Sequence, residues 1–206
     1  MNLIERMHDA SSDKAAVERI EKLLTDDPSL VEKPCGSSRV WQGKIFGVDQ
    51  IEAELPDGTH ASREVMHHRG GCCVVVVRNE KICLVRQWRV AVGRMTLELP
   101  AGKLDPDEDP VLCAQRELRE ETGLIARRIE PVILSRGVIG CSDELTRIFR
   151  AYDVVEGEAH LDDEEFVDVV WVSIADALAA IHAGVIQDSK TILGILSAAL
   201  EAERSK

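Results

Sequence analysis

The chain of 206 residues has no uninterrupted apolar run approaching the roughly 20 residues that a bilayer-spanning helix needs, so a membrane protein of the helical kind is not expected. The opening "MNLIERMHDASSDK" mixes both signs of charge and lacks the apolar stretch and small-residue cleavage site of a secretory signal. A cytoplasmic location is the expectation. Positive charge is scarce: 25 Lys and Arg stand against 37 Asp and Glu, a formal net charge of -12. Such a surface repels nucleic-acid backbones and anionic membranes, which excludes both as partners. The six cysteines include one adjacent pair but no CxxC spacing, so a structural zinc site is not expected and reduced, mostly buried thiols are. No internal repeat or low-complexity tract is present. What remains is the composition of a globular protein, 45% hydrophobic and 30% charged, with room for one catalytic-size domain and an extension.

Residues 3 to 24 carry apolar side chains at helical spacing before "TDDP" and read as an N-terminal helical extension. "VEKPCGSS" at 31–38 has the composition of a connector, which puts the expected division into 1–38 and 39–206. From Trp41 the period shifts toward two on either side of "PDG", predicting a β-hairpin that ends near His67 and His68. "CCVVVV" and "KICLVRQW" follow as strands apolar enough to be covered on both faces, and "MTLELPAG" as a shorter one. A helix is predicted after "DPDEDP", with Asp109 as N-cap, Pro110 in the first turn and Gly123 at the close. Two strands around a loop at 137–144, an acidic loop "EGEAHLDDEEF", the strand "VDVVWVS" and two helices opened by Ser173 and Asp188 complete the chain. Strands, helix, strands and helices in that order predict an α/β fold, a sandwich with a mixed sheet between helical layers.

The helix after Asp109 poses a problem of charge. Residues 102–124 hold seven acidic side chains, and Glu117, Glu120 and Glu121 are spaced three or four apart, which puts them on one face. Two unit charges 4 Å apart repel by about 1 kcal/mol in bulk water and about 4 kcal/mol at an effective dielectric of 20. A counter-charge is required. Hard anionic oxygen ligands suit Mg²⁺ or Mn²⁺, whereas Arg116 and Arg119 offer a purely structural neutralisation. The carboxylates alone leave both open.

Gly102, Glu108, Arg116-Glu117-Leu118, Glu120-Glu121 and Gly123-Leu124 match the spacing of the Nudix box of diphosphate hydrolases at all nine specified positions. The chain thus resembles that family. The resemblance implies a Nudix α/β/α sandwich, preceded here by the helical extension and hairpin, and divalent metal, Mg²⁺ or Mn²⁺, on Glu117, Glu120 and Glu121. It implies that Arg116 orients those carboxylates and that Glu108 ties the loop to the helix, with Gly102 and Gly123 as structural positions of the box. "SREV", "VRQWRVAVGRMTLELPAG", "DDEEFVDVVWVS" and "AGVIQDSKT" together look like the ADP-ribose pyrophosphatase branch over roughly residues 41 to 200. In that branch the position of Ala101 contributes a backbone carbonyl to the metal. Arg89, Glu98, Glu144 and Arg63 fall at substrate positions, and Glu165, with Glu164 and Asp163 nearby, falls where a loop glutamate serves the metal or the attacking water. Branch members also exchange N-terminal strands, which implies a homodimer built through residues 41–68. The implied reaction is hydrolysis of ADP-ribose to AMP and ribose 5-phosphate. One departure stands out: Ile139 in "SRGVIGCSDE" replaces the proline usual in the branch. GDP-mannose or a similar nucleoside diphosphate sugar is the alternative substrate, and a non-catalytic ligand sensor the alternative class. Trp41 and Trp88 read as core or interface residues, with stacking on a nucleobase the other reading.

Overall fold

The computed structural model describes residues 14–161 and 166–204, in two compact units, one reaching to His67 and including the C-terminal end from Glu203, the other His68–Ala202.

In the N-terminal unit, α1 (Lys14–Leu23) precedes a three-stranded antiparallel sheet of β1 (Lys33–Gln42), β2 (Phe46–Glu54) and β3 (His60–His68), in the order β1-β2-β3. β2 and β3 form the hairpin expected around "PDG". Gly58, at φ 82°, supplies the left-handed turn position, and Asp57 accepts hydrogen bonds from the backbone and hydroxyl of Thr59 at 2.9 and 2.6 Å. The expectation for 31–38 needs correcting, because this stretch is not a connector: β1 runs straight through residue 38. Pro34, Gly36 and Ser37 mimic a linker in composition. They are tolerated because β1 is an edge strand whose register shifts between Pro34 and Gly36, where a missing N–H breaks no ladder.

In the second unit, β4 (Gly71–Arg78), β5 (Lys81–Arg89), β8 (Leu124–Ser135), β9 (Thr146–Glu156) and β10 (Val167–Ser173) form a sheet in the order β10-β5-β4-β9-β8. β6 (Arg94–Glu98) pairs with β5, and β7 (Ala101–Lys103) with β4. The sheet is mixed, β4 and β9 running parallel while β5, β7 and β8 pair antiparallel to their neighbours. Consecutive residues of β4 point to opposite faces. Cys72, Val74 and Val76 pack with Cys113, Ala114 and Leu118 of α2 (Pro110–Thr122). Cys73 and Val75 pack with Ala177 of α3 (Ile174–His182) and with Ile195 and Ala198 of α4 (Ser189–Arg204). Helices on both faces are why "CCVVVV" is continuously apolar; burying one Val or Leu in such a layer contributes about 1.5–3 kcal/mol. Ser173 caps α3 as expected, accepting from Asp176 N at 3.0 Å. Cys72, Cys73, Cys83 and Cys113 are buried free thiols, while Cys35 and Cys141 are exposed. Among the described residues no helix is long and apolar enough to cross a membrane.

Candidate active site

The carboxylate-bearing helix is held at both ends by its own sequence. Asp109 accepts from Val111 N at 2.7 Å and Leu112 N at 3.4 Å, Pro110 begins the helix, and Gly123, at φ 71°, ends it with its N–H on Arg119 O at 2.8 Å. Cys113, Ala114 and Leu118 bury one side of α2. Glu117 and Glu121 lie at the edge of that buried face and are only 8% and 4% exposed. A carboxylate so placed stays charged only if it is bonded.

Arg116 provides much of that bonding. Its Nε and Nη2 grip Glu108 at 2.9 and 3.0 Å, and its Nη1 donates to Glu117 at 2.8 Å and to Glu120 at 2.9 Å. Glu108 also accepts from Asp105 N at 3.0 Å. The bidentate Arg116 bond, helped by that backbone donor, outweighs desolvation and draws the Glu108 carboxyl down to about 2. The same partners raise Arg116 above its ordinary value, so it is a permanent cation. Glu121 is anchored differently: it accepts from Ala101 N at 2.8 Å, which ties the helix to β7. Gly102, the next residue, leaves the space that the Glu117 carboxylate fills; a Cβ there would lie 1.8 Å from Glu117 Oε1.

Among the described residues no three His, Cys, Asp or Glu side chains converge as a formed metal site. Glu117 and Glu120 are instead both drawn onto Arg116. The donor set nevertheless fits a hard divalent ion: the group is all oxygen, one guanidinium serves the carboxylates of Glu108, Glu117 and Glu120, and Glu121 shares the face of α2 with the last two.

β6 leads to β7 through Glu98-Leu99-Pro100, and this short stretch joins the helix to a second cluster. Glu98, 3% exposed, accepts from Arg89 Nε at 2.7 Å, Arg89 Nη2 at 2.9 Å, Thr96 Oγ1 at 2.8 Å and Lys190 Nζ at 2.7 Å. Burial alone would push its carboxyl up, but Arg89, Lys190 and Thr96 together bring it down to about 2. Glu98 is therefore a fixed anion and holds no proton to exchange at neutral pH. Arg89 is raised, chiefly by its bond to Glu98 and further by the fields of Glu121 and Asp188, so the guanidinium feels one carboxylate of α2 as well. A cleft of about 360 Å³ opens here, lined by Arg89, Arg94, Glu98 and Lys190 against Val92 and Ile186.

The expected position of Glu98 and Arg89 drew on "RQWR" and "LELPAG", but Lys190 and Thr191 were missed, and Asp188 was read only as a helix cap. Lys190 bonds Asp188 at 2.9 Å, and Thr191 Oγ1 accepts from Leu99 N at 2.9 Å across the sheet-to-helix junction. The signal available was "DSKT" at the start of α4, four consecutive polar residues within about one turn.

A folded-state carboxyl held below its ordinary value stabilises the fold above that value and loses the contribution as pH falls. For Glu98 the window runs from the ordinary 4.5 down to about 2, and the contribution is about 3 kcal/mol. The difference in unfolding free energy between the wild type and Glu98→Gln is thus expected to be largest above pH 5 and to shrink toward pH 2. Urea titrations at several pH values measure it, and a pH-independent difference would contradict the assignment.

The other expected residues are dispersed. Arg63 belongs to the N-terminal unit, where Glu32 accepts from its Nε at 2.9 Å and its Nη2 at 2.6 Å. Glu144 lies in the loop before β9, its carboxylate 3.3 Å from His68 Nδ1 and its N–H on Ser142 Oγ at 3.1 Å. Ile139 is 80% exposed in the same loop. Glu165, with Asp163 and Glu164, lies outside the described residues. On the near side His160 donates its N–H to Glu120 O at 3.1 Å, and on the far side Val167 pairs with Gln87 of β5. Trp41 packs against Phe46 with ring centroids 4.9 Å apart, while Trp88 is 58% exposed.

The family model described as the NUDIX domain matches residues 66–192, which include the whole of this helix, its loop and the Glu98 cluster. The chain belongs to the Nudix family. Among its relatives is the "ADP-ribose pyrophosphatase" of Bacillus subtilis (strain 168), 36% identical over 183 residues, 85% of this chain and 99% of that one. Another is the "Methanol dehydrogenase activator" of Bacillus methanolicus, 35% identical over 167 residues, 80% of this chain and 90% of the relative. A crystal structure of an "ADP compounds hydrolase" shares the fold with a TM-score of 0.73 at 20% identity, covering 85% of this chain and 95% of that one. The Nudix domain accounts for the mixed sheet and its helical layers, and membership of the family implies a divalent metal ion as cofactor.

Proposed function

We propose that this Nudix protein is a metal-dependent pyrophosphohydrolase that cleaves the diphosphate of a nucleoside diphosphate linked to a sugar, most specifically ADP-ribose to AMP and ribose 5-phosphate. The observation that carries the reading is the face of α2 on which Glu117 and Glu120 share Arg116 while Glu121 is tied to β7 at Ala101. Mg²⁺ or Mn²⁺ is the ion this face would hold, through those three glutamates, Glu165 and the Ala101 carbonyl. When bound, it would neutralise the diphosphate oxygens and lower the pKa of water.

The chain's own residues have separate tasks. Arg116 keeps mutually repelling carboxylates within one helix turn. Glu165, or Glu120, accepts the proton of the attacking water as its oxygen bonds to phosphorus and the bridging P–O bond breaks. Arg89 meets the substrate's anionic groups, with Glu98 holding the guanidinium in place. Arg63 and Glu144 complete the substrate contacts within a homodimer formed through the N-terminal strands. The relative from Bacillus subtilis supports ADP-ribose as the substrate. Ile139, exposed where the branch usually has proline, is the reason to keep a sugar such as that of GDP-mannose in the test.

The experiment is a hydrolysis screen of ADP-ribose and GDP-mannose with Mg²⁺, with Mn²⁺ and with EDTA. AMP and ribose 5-phosphate formed only with metal is the expected outcome. Preference for GDP-mannose would replace the substrate, and tight binding of either compound without hydrolysis would replace the enzyme with a ligand sensor.

A further inference from the structure

We propose that Lys190 is a positioning residue of the substrate cleft: seated on Asp188, it fixes the Glu98 carboxylate, and Glu98 in turn fixes the half-exposed guanidinium of Arg89. This rests on the reading of the Arg89 cleft as the place where the substrate's anionic groups bind.

The geometry is a closed chain of polar contacts. Glu98 Oε2 receives Lys190 Nζ at 2.7 Å, and Lys190 Nζ also donates to Asp188 Oδ2 at 2.9 Å. Asp188 Oδ2 receives Thr191 N at 3.1 Å and the Thr191 hydroxyl at 2.5 Å. Thr191 Oγ1 then accepts from Leu99 N at 2.9 Å, the residue next to Glu98. Two segments of the chain 92 positions apart are thereby tied together. Charge is balanced within the ring, with Arg89 and Lys190 as cations and Glu98 and Asp188 as anions.

Exposure separates the two cations that line the cleft. The Lys190 side chain is 20% exposed and that of Arg89 is 46% exposed, so the arginine is the one more open to a ligand. An arginine meeting a phosphate binds best when its planar fork is oriented in advance, because rotamer freedom lost on binding weakens affinity. Glu98 takes two guanidinium hydrogen bonds, one on each oxygen. It can hold that plane only if its own carboxylate cannot rotate, and Lys190 and Thr96 supply the restraint. Lys190 thus acts on substrate affinity through Arg89, leaving the chemistry on α2 to other residues.

The test is a double-mutant cycle on full-length protein with ADP-ribose. Lys190→Met keeps the aliphatic stem and removes the amine; KM is expected to rise about tenfold while kcat falls less than about threefold. In an Arg89→Met background the same substitution is expected to change KM less than about twofold, because the group it positions is gone. Equal factors in both backgrounds, or an unchanged KM, would overturn the proposal. If Lys190→Met does not fold, Asp188→Asn carries the same cycle, since it loosens the amine while keeping a capping side chain. The cycle is also read as ADP-ribose affinity by calorimetry in EDTA. Binding without hydrolysis in metal would refute the proposed reaction and leave the calorimetric cycle to decide on Lys190; hydrolysis in metal without binding in EDTA leaves the kinetic cycle to decide, and neither binding nor hydrolysis by the wild type would overturn both.

Discussion

Replacing Glu121 with Gln is expected to lower kcat by about a hundredfold or more while the protein remains folded. Gln has the size of Glu, and its carboxamide oxygen can still accept from Ala101 N, the bond that Glu121 makes at 2.8 Å. What disappears is one negative charge from the oxygen-rich face that would hold a divalent ion. The site is only 4% exposed at Glu121, so the lost charge is not replaced by bulk water at equal strength. Removing one such electrostatic group typically costs two to three orders of magnitude in rate. Loss of a like-charge neighbour of Glu117 also relieves repulsion, so the melting temperature should not fall by more than a few degrees. Steady-state kinetics at saturating Mg²⁺ and thermal unfolding of the same preparation decide it. Near wild-type turnover would remove Glu121 from the metal assignment.

How much of this site could be read before the fold was known depends on the range of the contacts that build it. The ends of α2 were legible because Asp109, Pro110 and Gly123 act on backbone groups within a few residues of themselves. The grip of Arg116 on Glu108 spans eight positions and the crowding of Glu117, Glu120 and Glu121 follows from helical pitch, so both are consequences of local sequence. The Lys190 ring is of another kind. Nothing near Glu98 in sequence announces that its third hydrogen-bond partner comes from α4, and a lysine at a helix start looks like any exposed cation until the sheet brings Glu98 to it.

β1 shows the opposite failure, where local composition spoke too strongly. Pro, Gly and Ser in "VEKPCGSS" signal a connector, and in a central strand Pro34 would be a defect. The stretch is a strand because it pairs on one side only, with β2, and because a register shift absorbs the proline. Pairing is a tertiary fact that composition does not carry. Both misreadings have one cause, namely that partners distant in the chain decide what a segment does.

Gly102→Ala is expected to cut turnover about a hundredfold at a modest stability cost, and the reason lies in Glu117. Gly102 lies in β7 and is absent from the residues of positive φ, so an alanine fits the backbone there. The added methyl, however, would sit 1.8 Å from Glu117 Oε1 and 1.9 Å from its Cδ. The carboxylate must swing away, which breaks its 2.8 Å bond to Arg116 and takes it out of line with Glu120 and Glu121. A displacement of about 1 Å in a catalytic group is enough for a hundredfold loss. Because the clashing atoms are the end of a flexible side chain, the cost to folding should be that of mild overpacking, about 1–3 kcal/mol. Both kcat and Mn²⁺ affinity should fall together. The control is Glu117→Ala, which removes the obstacle: in that background Gly102→Ala should change Mn²⁺ affinity less than about twofold, as expected for two substitutions acting through one carboxylate. Equal losses with and without the Glu117 side chain would show that the glycine is required for something other than making room for it.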